Sequence, residues 1–171
     1  MLKKLVLAAL LLASSVAVWA EPILGHSLAE AQKADLFKHF CLEEEAPSET
    51  GTHSFRPHAD LFKYLVLVTV STNGGKIDSI KLNIARSFID DSANGIFARD
   101  LTKSFLLEAV PSDDQYRYTG MTESLWKRTS GGGSGYDVYL GNKESWSDAG
   151  SVSSLEMSNS DGQFEVVVTA K

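Results

Sequence analysis

Cysteine is almost absent from this chain: Cys41 stands alone among 171 residues, so no internal disulfide is available. The fold must hold through its core, and a chain of this length can build one without staples. Proline is nearly as scarce, at four residues, and no Pro-rich spacer interrupts the chain. Basic charge is in deficit, with 16 Lys and Arg against 22 Asp and Glu. That balance repels nucleic acid and anionic lipid, and it steers toward cationic partners. Long apolar runs are missing except at the N-terminus. There Leu5 to Ala13 is apolar and uncharged, yet shorter than the roughly 20 residues a membrane helix needs.

What the N-terminus does carry is a secretory layout. Lys3 and Lys4 precede the apolar run, and Val18-Trp19-Ala20 places small residues at the two positions a signal peptidase reads. Residues 1–20 are therefore expected to be a cleavable signal peptide, with no Cys behind the cleavage point to take a lipid. Residues 21–171 are expected to form a single domain, periplasmic or secreted, with no stable membrane anchor after cleavage. Losing Lys3 and Lys4 takes the net charge from −6 to −8.

Within that domain, Ser27-Leu28-Ala29-Glu30 has capping-box spacing and predicts a helix from Leu28 to about Leu42. Leu36, Phe37, Phe40 and Cys41 share one face of it, where Cys41 is expected to be packed. Residues 43–59 open on Glu43-Glu44-Glu45 and carry Pro47, Gly51 and Pro57, and so read as an exposed loop. Leu61 to Val70 and Lys76 to Arg86 read as strands joined at Asn73-Gly74-Gly75. A three-residue loop sets Tyr64, Val66 and Val68 against Ile84, Leu82 and Ile80, keeping apolar faces together. Leu65 and Leu67 make the first of these strands apolar on both faces, which suits an interior position.

Asp90-Asp91-Ser92 offers caps for a second helix ending at Val110 before Pro111. Its stripe is Phe97, Leu101, Phe105 and Ala109, widened by Ile96, Leu106 and Val110. The last third reads as strands over 125–129, 136–140, 152–158 and 163–170, with turns at Gly141-Asn142 and Asp161-Gly162. A two-residue Asp161-Gly162 turn pairs Asn159 with Phe164, Met157 with Val166, and Leu155 with Val168. The expected class is α+β: a mainly antiparallel sheet of about five to six strands with two helices packed on it, in the order α-β-β-α-β-β-β-β.

Chemical motifs each fail at a definite position. Asp90-x-Ser92-x-Asn94-Gly95 opens like a calcium loop, but its twelfth position is Leu101 rather than Glu. Gly132-Gly133-Ser134-Gly135 lacks the closing Gly of a nucleophile elbow, because Tyr136 stands there. His53 and His58, even with Glu49 and Asp60, do not have the spacing of a zinc site. His39 and Cys41 are two apart, so on a helix they point away from one another. No cofactor and no metal are expected.

From Val66 to Pro111 the order of parts is an alternating strand, a Gly turn, a second strand and a helix ending at Pro. That order resembles the C-terminal domains of TonB-type energy transducers. The likeness covers under a third of the chain and contains no distinctive motif. Transducers also keep a membrane anchor and a Pro-rich spacer. The resemblance implies shared architecture and no function.

The function expected from these readings is a non-enzymatic binding protein, an inhibitor or immunity type that masks a cell-envelope hydrolase. Its contact surface is expected at Ser130, Gly133 and Ser134, with Trp126, Tyr136, Tyr139 and Trp146 as aromatic anchors. Asp137 and Glu144 would steer a cationic protein partner. One alternative is an envelope accessory protein holding a small apolar ligand in a cavity lined by Phe62, Tyr64, Phe97 and Phe105. Another is a hydrolase whose non-local site joins His53 or His58 to a Ser, Asp or Glu of the last third.

Overall fold

Alternation of apolar and polar residues builds the sheet. Val66, Val68 and Val70, Ile80, Leu82 and Ile84, and Phe164, Val166 and Val168 are all buried, while the residues between them are half-buried. Such a period of two leaves each strand with one face for the core. The computed structural model describes residues 23–45, 51–60, 62–90, 92–110, 123–127, 142–146, 152–160 and 162–171. The strands are β1 (Leu42–Glu44), β2 (Thr52–Pro57), β3 (Val66–Asn73), β4 (Lys76–Ala85), β5 (Asn142–Trp146), β6 (Val152–Ser160) and β7 (Gln163–Ala170). They form one antiparallel sheet in the order β1-β2-β3-β4-β7-β6-β5. Helices α1 (Leu28–Ala31), α2 (Asp35–His39), α3 (Arg86–Ile89), α4 (Ser92–Ala109) and a helical turn α5 over 123–127 complete the α+β fold.

Helix and strand residues share one core. Leu101, Phe105, Leu106, Ala109 and Val110 of α4 and its C-terminal end join the inward strand positions in a single cluster with Leu36, Phe37 and Phe40. Ile96 departs from the expected stripe and is exposed. The opposite face of the sheet is mainly polar, with Leu67 and Val167 as apolar members, and crosses the strands in registered rows. One row runs Thr52, Ser71, Ser79, Thr169 and Ser154. Another holds Asn83, whose amide donates to Glu165 at 2.9 Å, beside the Lys81–Glu165 pair.

The β6–β7 pairing follows the expected register at Asn159–Phe164, Met157–Val166 and Leu155–Val168. The β3–β4 pairing keeps the expected faces but slides by two residues, to Val66–Ile84, Val68–Leu82 and Val70–Ile80. Gly74 and Gly75 make the turn, both at positive φ, which glycine reaches without a Cβ clash. Asp78 is then an extra residue on β4, because Ser71 faces Ser79 while Thr72 faces Ile77. β3 itself starts at Val66; residues 62–65 form a turn that leaves Tyr64 exposed.

Three expected elements change. The first helix breaks at Gln32–Ala34, although its capping box at Ser27 and Glu30 forms as expected. Ala31 and Phe40 are nine residues apart, half a revolution round on a continuous helix at about 100° per residue. Only a break lets both face the core, and both are buried. Residues 43–59 contain strands β1 and β2 instead of a continuous loop, with Phe55 buried against Phe37. Residues 123–127 are helical, not the start of a strand, because Leu125 and Trp126 are adjacent and both buried. The expected strand over 136–140 lies outside the described residues, and Asn142, expected in a turn, begins β5.

Candidate functional site

The acidic run is drawn into the edge of the sheet. Pairing of β1 with β2 sets Glu43 opposite Arg56 and Glu44 opposite Phe55. Around that register Glu45 Oε1 accepts from Arg56 Nε at 2.8 Å, His53 Nδ1 lies 2.7 Å from Glu44 Oε1, and His58 Nδ1 lies 2.8 Å from Glu43 Oε1. Three neighbouring carboxylates thus each hold a basic partner, which also charges a short edge strand against further pairing. Both histidines of the non-local hydrolase reading are paired here with glutamates of β1. No group of three or more metal-ligating side chains occurs among the described residues.

The hydrogen bond that the His58 ring donates to Glu43, followed by the Glu43 charge, raises the His58 pKa above the ordinary imidazole value. The raised value means this pair favours the folded state below about pH 6.5 and loses that contribution as pH rises through the folded-state pKa. Glu43→Gln is expected to lower the His58 midpoint, read from its ring-proton NMR titration. An unmoved midpoint would mean that the pair does not persist in solution.

Cys41 is exposed, not packed. It follows Phe40, the C-cap of α2, in the left-handed region at φ 47° as the chain passes into β1. Its neighbourhood includes an open depression of about 540 Å³ lined by Asp35, Lys38 and His39 of α2 and Ser104 of α4. Among the described residues no hydrogen bond links His39 to Ser104 or Asp35, and the His39 ring lies edge-on to Phe40 at 4.9 Å.

One turn along α4 from Ser104, Glu108 is buried and accepts from the Leu36 N–H at 2.9 Å. Neither the role of Glu108 nor the pairing of Glu43, Glu44 and Glu45 was expected from sequence. Leu36 and Glu108 lie 72 positions apart, the glutamate pairs form only once β1 meets β2, and alternation carries no signal for polar contacts of either kind.

Of the four rings expected to line an apolar cavity, Phe62 and Phe97 pack on one another. Phe62 stacks on Phe97 with centroids 4.8 Å apart, Phe88 meets both edge-on, and Phe105 is buried. Tyr64 stands 80% exposed and takes no part.

Of the expected partner surface, Ser130, Gly133, Ser134, Tyr136, Asp137 and Tyr139 lie outside the described residues. Trp126 is 7% exposed and edge-on to Phe164 at 4.9 Å, so it is a core side chain and not a surface anchor. Glu144 and Trp146 lie on edge strand β5, where their backbones pair with Met157 and Leu155. Both flanks of residues 128–141 reach one cross-strand row: Trp126 packs on Phe164, Phe164 pairs with Asn159, and Asn159 pairs with Asn142. Asn142 is thus two strands from Phe164, about 10 Å. The chain matches no protein-family model, no curated protein and no solved structure.

Proposed function

We propose that this chain is a secreted or periplasmic binding protein that masks a cationic protein partner, as an inhibitor or immunity protein does for a cell-envelope hydrolase. Contact falls to the stretch between α5 and β5, through Ser130, Gly133, Ser134, Tyr136, Asp137 and Tyr139, with Glu144 and Trp146 beside it. The observation that supports this reading is the placement of the two flanks. Both reach the same row of the sheet, about 10 Å apart along it, while residues 128–141 have a contour of about 48 Å at ~3.4 Å each. Binding residues sit disproportionately on segments that join the elements of a rigid scaffold. Gly and Ser leave backbone groups available there, tyrosines supply contact area at little entropic cost, and the acidic balance steers a basic partner.

The test is capture of partners by tagged residues 21–171 from the source cells at low and high salt, with mass spectrometry. One stoichiometric, basic partner lost at high salt is expected, and Tyr136→Ala with Tyr139→Ala should release it at low salt. No partner at either salt, or a partner indifferent to the tyrosines, would overturn the reading.

A further inference from the structure

We propose that the Glu108 side chain is a proton-operated latch that holds α2 against α4, beside a backbone tie from the same residue to the segment from Ile23 to Gly25. Its geometry is that of a helix cap supplied from another helix. The first turn of α2 has N–H groups with no partner inside the helix. Ala34, at the cap position, has no side chain that can serve them. Glu108 does so from α4: the Leu36 N–H donates to its Oε1 at 2.9 Å in a buried contact. The backbone of the same residue makes the second tie, where the Ile23 N–H donates to the Glu108 carbonyl oxygen at 2.8 Å. One residue thus joins three segments.

The second carboxyl oxygen makes the contact sensitive to protons. Oε2 is buried with no hydrogen-bond partner among the described residues, and the whole residue is 4% exposed. An ionised carboxylate leaves that oxygen charged and unsolvated. A proton on Oε2 removes the charge, while Oε1 still accepts from Leu36. Burial therefore lifts the Glu108 carboxyl from 4.5 to about 7, against the pull of the Leu36 and Asp35 backbone groups.

The surrounding charges are few among the described residues. From α2, Asp35 pushes the value up and Lys38 pulls it down, and His39 lines the depression beside them. Residues 23–25 carry no ionisable side chain, and the inward positions of β4 that face α4 are Ile77, Ile80, Leu82 and Ile84. Arg86 of α3, at the far end of α4, is held by Asp90.

The closed form binds the proton more tightly than an opened form, where Glu108 returns to about 4.5. Closure is therefore strongest below that value and weakens as pH rises through about 7. With those two values, linkage gives an opening constant that grows about 70-fold from pH 5 to pH 8 and levels off above it.

The measurement is amide hydrogen exchange at Leu36 and Phe37 across pH 5 to 8, expressed as protection relative to the unfolded chain. The protein is compared with its Glu108→Gln variant. A glutamine side chain keeps an oxygen acceptor for Leu36 and cannot ionise, so the variant should show flat protection at these amides. The His58–Glu43 pair, whose imidazole pKa is also raised, is untouched by this change. The β3 amides provide the reference for whole-molecule opening.

Leu36 protection that does not change with pH, or the same pH dependence in Glu108→Gln, would overturn the latch. If the variant does not fold, the carboxyl ¹³C shift of Glu108 and the Leu36 amide shift are followed in the unaltered protein. They should titrate together near pH 7, and a midpoint below about 5.5 would overturn the proposal equally.

Discussion

Phe164→Ala is expected to destabilise the protein by about 3–5 kcal/mol, the range for removing a large aromatic side chain from a closed core. The whole folded state of such a domain is held by only about 5–15 kcal/mol, so this variant should be at or near unfolding at physiological temperature. The reason is where Phe164 sits. It pairs with Ile84 of β4 on one side and Asn159 of β6 on the other, and meets Trp126 of α5 edge-on. It is completely buried. Its loss opens a cavity bordered by two strands and a helical turn, none of which can collapse without breaking its own register. Phe62→Ala makes the comparison, because Phe62 is only partly buried at the rim of its aromatic cluster. That variant should lose less, since part of the vacated space opens toward solvent. Urea unfolding followed by far-ultraviolet circular dichroism separates the two. Equal losses would mean that Phe164 is not the joint between α5 and the sheet.

The contrast between those two phenylalanines also shows what was legible before the fold was known. The β6–β7 register could be read because Asp161-Gly162 separates two clean alternations, so turn length and apolar face agree on one pairing. The β3–β4 hairpin gave up its faces but not its register. The loop is Gly74-Gly75 alone, so Asn73 pairs with Lys76, and a bulge at Asp78 adds the second residue of the slide, marked in the sequence only by Ile77 and Ile80 standing three apart. The break in the first helix did have a signal, the half-revolution between Ala31 and Phe40, but it competes with a good capping box at Ser27. β1 and β2 were hidden because acidic, Pro and Gly residues dominate that stretch. Those residues mark a loop by local chemistry, and their ion pairs to His53, Arg56 and His58 exist only once the strands meet. Glu108 and Leu36 are 72 positions apart. A contact of that kind belongs to the packing of α2 on α4, so no local pattern announces it.

Gly95→Ala sets two opposing effects against each other, and its outcome depends on the joint between α3 and α4. Alanine is the better helix former by about 1 kcal/mol in a helix interior, and Gly95 lies within α4, so local propensity favours the change. The close approach opposes it. A Cβ on Gly95 would stand 2.8 Å from the carbonyl oxygen of Ile89, the last residue of α3. That neighbour is backbone, so no rotamer change relieves the contact; the junction itself must move. Phe88 rides on the same short helix and packs edge-on with both Phe62 and Phe97, so a shift there disturbs the aromatic cluster as well. Forced overpacking of this kind costs about 1–3 kcal/mol, with the propensity gain as a partial offset reduced by the position in the first turn. The net expectation is destabilisation, seen as a fall in Tm of several degrees at about 2–4 °C per kcal/mol for a chain of this size. Calorimetry on the two proteins decides it. A rise in Tm would mean that the α3–α4 joint yields at little cost and that propensity governs this turn. A fall would mean that Gly95 is kept small by the carbonyl of Ile89, and that the aromatic cluster depends on that approach.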